Sequence, residues 1–123
     1  MFSVTDSIRA AAISALSGNE KGPRATLLAV VDKVGNANAR GFLRQAIARL
    51  EEEFPTLAAE ACLEALKVLE PNTAPSYRFV VGPRTVVHAF YHRGEYIAVG
   101  GGVYVTAPDI VTVQYKARQE ALA

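Results

Sequence analysis

The chain has 123 residues, half of them hydrophobic and a fifth charged, which suits a real hydrophobic core and argues against disorder. Its 13 basic and 12 acidic residues leave a formal charge of +1. That balance argues against a strong non-specific nucleic-acid binder, which carries a clear basic excess.

Cys62 is the single cysteine, so no internal disulfide forms. A cytoplasmic protein, or part of an assembly built inside a cell such as a virion, is the expectation. The first residues lack a basic segment before the apolar run, and Asp6 and Arg9 interrupt that run; no signal peptide is expected. No stretch approaches the roughly 18 apolar residues that a bilayer span needs, so no membrane partner is expected.

Four helices are predicted first. The first spans about 6–17, capped by Thr5 or Asp6, with Ile8, Ala11, Ala12, Ala15 and Leu16 on one face and Gly18 as the stop. The second spans about 23–34, opened by Pro23, with Leu27, Val30, Val31 and Val34 as its stripe. The third spans about 37–54, capped by Asn36 or Asn38, with Leu43, Ala46, Ile47, Leu50 and Phe54 facing inward. Its charges oppose its own dipole, with Arg40 and Arg44 early and Glu51, Glu52 and Glu53 late; an Arg49–Glu53 pair is expected to offset this. The fourth spans about 56–69, between Pro55 and Pro71, with Ala59, Cys62, Leu63, Leu66 and Leu69 inward. Cys62 reads as a buried small hydrophobe, not a nucleophile. A short linker follows at 72–75.

From residue 76 to 116 the pattern changes to runs of Val, Ile, Tyr and Phe between Gly/Pro breaks. Five antiparallel strands are predicted, at 77–81, 85–91, 95–99, 103–106 and 110–116, followed by a polar tail at 117–123. The fold class is therefore α+β, a single domain with four N-terminal helices and a C-terminal meander.

Side chains alternate along a strand, so each strand has two faces. Strand five splits into apolar Val111, Val113 and Tyr115 and wetter Ile110, Thr112, Gln114 and Lys116. Strands two and three are apolar on both faces. With every predicted helix placed before the sheet, one face is left with large apolar groups and no cover. Either the sheet closes into a barrel or that face meets another chain. The second outcome makes Val86, His88, Phe90, Ile97 and Val99, with the Gly100–Gly102 tip, a candidate surface for self-association or for docking a partner protein.

The remaining chemistry is sparse. His88 and His92 are four apart, about 13 Å on a strand, too far for one zinc with bonds near 2 Å. No metal or cofactor is expected. The two imidazoles with Tyr91 and Arg93 define an alternative as a small hydrolase or nuclease. Arg78, Arg84 and Arg93 with Tyr91 and Tyr96 define another, a meander surface that binds single-stranded nucleic acid. The triple glycine lacks the G-x-G-x-x-G pattern and reads as a hairpin turn. In architecture alone, a helical body followed by a strand-rich arm is similar to subunits of viral head-to-tail connectors; no motif carries that likeness. The leading expectation is a non-enzymatic structural or assembly protein.

Overall fold

A computed structural model describes residues 3–72 and 76–122. Backbone contacts divide the chain into two compact units, residues 1–73 and 74–123. Of the linker expected at 72–75, only Asn72 lies within the described residues.

The first unit holds α1 (Val4–Leu16), α2 (Lys21–Val30), a 3-10 turn (Val31–Lys33), α3 (Ala37–Glu51) and α4 (Pro55–Leu69). The cap of α1 is Ser3, not Thr5 or Asp6: its Oγ accepts from the Asp6 amide at 3.1 Å. Asn36 caps α3, accepting from the Ala39 amide at 3.0 Å. Pro55 occupies the first turn of α4, where its missing N–H leaves no bond unmade. The expected apolar stripes are buried, Ile8, Leu27, Leu43 and Cys62 almost completely, except at two helix ends: Phe54, expected inward, is 50 % exposed past the end of α3, and Leu69 is half-buried. α4 packs against both α3 and α1. The Arg9 guanidinium donates to the Glu70 carboxylate at 2.9 Å and so fastens α1 to the far end of α4.

The expected Arg49–Glu53 pair does not form. Glu53 lies past the end of α3 with φ +66°, and Arg49 pairs with Glu52 at 3.4 Å. Glu51 instead receives Nε and Nη2 of Arg24 at 3.2 and 3.0 Å, which joins α2 to α3.

The second unit holds β1 (Tyr77–Gly82), β2 (Thr85–His92), β3 (Glu95–Gly100), β4 (Val103–Ala107) and α5 (Ile110–Leu122). The strands form one antiparallel sheet in the order β1-β2-β3-β4. β1 and β4 are its two edges, so the sheet is open and the barrel alternative does not hold. Two hairpins use two-residue turns with positive φ at both positions, Arg93 and Gly94 (53° and 87°) and Gly101 and Gly102 (58° and 85°), the type I′ geometry that matches strand twist.

The predicted fifth strand is wrong. Ile110–Leu122 is a helix, and it takes in most of the predicted polar tail. Asp109 begins it: its Oδ1 accepts from the Thr112 amide at 2.8 Å and its Oδ2 from the Thr112 hydroxyl at 3.0 Å. These bonds hold the Asp109 carboxyl below its ordinary value, the backbone bond most of all. The helix turns Val113 and Ala117 onto the sheet, where they join Val81, Val87, Ala89, Ala98, Val103 and Ala107 in one buried cluster. The sheet thus has a covering helix that follows it in the chain.

Candidate interaction surface

Pairing registers assign every strand residue to a face. Phe79 faces Val87 across β1 and β2, and Ala89 faces Ala98 across β2 and β3. This is the α5 face. Arg78, His88, Val99 and Tyr104 form one row across all four strands on the opposite face, and Phe90, Ile97 and Thr106 form the next.

The sequence assigned the interaction surface to that opposite face. Its central side chains are buried: His88 is 5 % exposed, Phe90 4 %, Ile97 3 % and Val99 1 %. None belongs to the cluster around α5. Val86 is half-buried and Gly100 buried; Gly101 and Gly102 are exposed at the turn. Of the candidate surface, then, the turn is open to solvent and the four central side chains are not.

Gly100 is held by packing as well as by conformation. Its φ is +144°, and a Cβ there would stand 2.5 Å from the Val86 carbonyl oxygen. Backbone of β2 and β3 approaches so closely at this point that no side chain fits. This gives the triple glycine a structural reason, independent of any ligand.

The groups of the catalytic alternative are divided between the two faces of β2. His88 and His92 share a face of β2, while Tyr91 points to the other, where it meets Tyr96 edge-on with ring centres 5.4 Å apart. The nucleic-acid alternative is dispersed as well. Arg84 lies in the β1–β2 turn and Arg93 in the β2–β3 turn, beyond opposite ends of β2, whose own ends are about 23 Å apart. Arg78 is on the face opposite the Tyr91–Tyr96 pair. Among the described residues, no group of three or more His, Cys, Asp or Glu side chains is placed to hold a metal ion. None has a helix long and apolar enough to cross a membrane. Cys62 is buried, and burial pushes its thiol up to about 12, so it is not a nucleophile at neutral pH.

On the sheet face opposite α5 the edge strands do expose apolar groups, Val80 63 % and Tyr104 54 %, but the most exposed ones among the described residues lie elsewhere. On α5, Val111 is 74 % exposed, Tyr115 64 % and Leu122 73 %. With exposed Arg118 they sit at positions 111, 115, 118 and 122, a line down one side of the helix. Val113 and Ala117, on the opposite side, are fully buried. Sequence reasoning missed this stripe because it treated the segment as a strand. The signal was present: Val113, Ala117 and Ala121 repeat every four residues behind an Asp-x-x-Thr start.

No protein-family model matches the chain, and neither the curated proteins nor the solved structures contain a match.

Proposed function

We propose that the protein is a non-enzymatic interaction or assembly protein that binds another protein chain through its C-terminal unit. The observation behind this reading is the outer stripe of α5, where three large apolar side chains stand in water on a helix whose other side already packs on the sheet. A surface helix ordinarily turns a polar face outward. Scattered exposed hydrophobics need no explanation, but an aligned set marks a binding surface. The exposed Gly101–Gly102 turn is a second point of attachment. A place inside a cell, or within a particle assembled there, goes with this reading and with the single buried thiol.

The test is native mass, measured by size exclusion with light scattering on the purified protein and by the same elution in extract of the source cells. Mass above the monomer in either sample, lost in Tyr115→Glu, supports the reading. Monomer in both samples refutes it.

A further inference from the structure

The stripe on α5 is complementary to itself. Its steps are four, three and four residues, from Val111 to Tyr115, Arg118 and Leu122. That is the alternation of the a and d positions of a coiled-coil seam, and it reads the same from either end. A second α5 laid antiparallel across the first, about a two-fold axis between Tyr115 and Arg118, sets Val111 against Leu122 of the other copy. The same operation sets Tyr115 against Arg118, twice. A guanidinium over a phenol ring is an attractive contact, and Val against Leu is ordinary apolar packing. We infer that the partner of this surface is a second copy of this chain, held by antiparallel α5–α5 pairing; the inference rests on the proposed function and narrows it.

Three further observations favour this occupant. The positions flanking the seam are Thr112, Gln114, Gln119 and Ala121, none charged, so no like charges meet along its flanks; within the seam each Arg118 lies over a Tyr115 ring. Lys116 is drawn away from the seam, its Nζ donating to the Thr106 carbonyl at 3.0 Å. The arrangement is isologous, so it closes after two copies and leaves no seam unsatisfied. A parallel pairing would instead set Arg118 against Arg118. With four seam residues per copy the interface is at the small, reversible end of the range, and a Kd on the order of 10–100 µM is expected.

Sulfur cross-linking reads the geometry directly. Val111→Cys and Leu122→Cys proteins are prepared separately, mixed in equal amounts and oxidised with the wild-type Cys62 in place, which is buried and unreactive. Facing positions bring the two new thiols together, so the mixture forms a 111–122 disulfide dimer. Either variant alone does not, because its two thiols lie about 16 Å apart along the helices, beyond disulfide reach. Light scattering of the wild-type protein across the expected Kd runs alongside, and Leu122→Asp, at an exposed site, weakens dimerisation at least tenfold without changing the circular dichroism.

A dimer that gives no mixed disulfide, or one in which Val111→Cys links to itself, overturns the antiparallel pairing and leaves the assembly reading standing. A monomer at every concentration that runs as a larger species in cell extract overturns self-pairing and again leaves the broader reading. A monomer in both settings overturns the two together.

Discussion

At the scale of single residues, backbone geometry and burial decide most outcomes. Gly100 and Gly102 both have positive φ, yet only Gly100 faces backbone at 2.5 Å. Gly102→Ala meets open space and carries the left-handed penalty alone, about 1 kcal/mol. Gly100→Ala adds displacement of the Val86 carbonyl, and a loss of about 2–4 kcal/mol is expected. Denaturant midpoints of the two variants check the order. Cys62 gives a second prediction. Its folded pKa, about 12, is above the unfolded value near 8.5, so the folded state keeps a proton that the unfolded state releases. The thiol's contribution is whole below about pH 8.5 and declines by about 1.4 kcal/mol per pH unit above it. Between pH 9 and 11, wild type therefore loses stability faster than Cys62→Ala, and paired urea titrations measure the difference in slope. Cys62 was legible from the sequence because its position on an apolar stripe fixes its surroundings. The buried state of His88 was not, because alternation assigns a face to a residue without saying what lies over that face.

At the scale of elements, α5 shows where pattern reading succeeds and fails. The four N-terminal helices were legible because Pro, Gly and Asn punctuate them and their apolar residues keep helical spacing, and the four strands because β-branched and aromatic runs stand between Gly/Pro breaks. In 110–116, Val111, Val113 and Tyr115 alternate as a strand would, and β-branched residues favour that conformation. Two things outweigh this: the Asp109 cap, and the run from Lys116 to Leu122, which is rich in good helix formers. Once helical, Val111 and Val113 part company, one 74 % exposed and the other fully buried. Identical substitutions should then differ sharply. Val113→Ala leaves a cavity against Val87 and Ala98, and a loss of about 1.5–3 kcal/mol is expected. Val111→Ala should stay within about 0.5 kcal/mol in dilute solution. Thermal melts of both at low concentration check this; equal losses would mean that α5 does not pack as described. The candidate surface moved with this element: the sequence sought it on the sheet because α5 was missing from the helix count.

At the scale of the whole molecule, a net charge of +1 leaves little long-range electrostatics to drive or oppose association. Self-association through an apolar seam should respond weakly to salt. Binding to a nucleic-acid strand would weaken steeply, since each neutralised phosphate adds to the slope. The dimer's Kd is expected to change less than threefold between 50 and 500 mM NaCl, with sedimentation as the measurement; a steep loss would point to charge. One contact also limits how copies can add together. β4 is an edge strand, and edges recruit further strands because their amides and carbonyls seek partners. Lys116 places an ammonium on the Thr106 carbonyl of that edge, so an incoming strand would have to displace a charged donor and bury it. Growth by strand addition is thereby discouraged along β4.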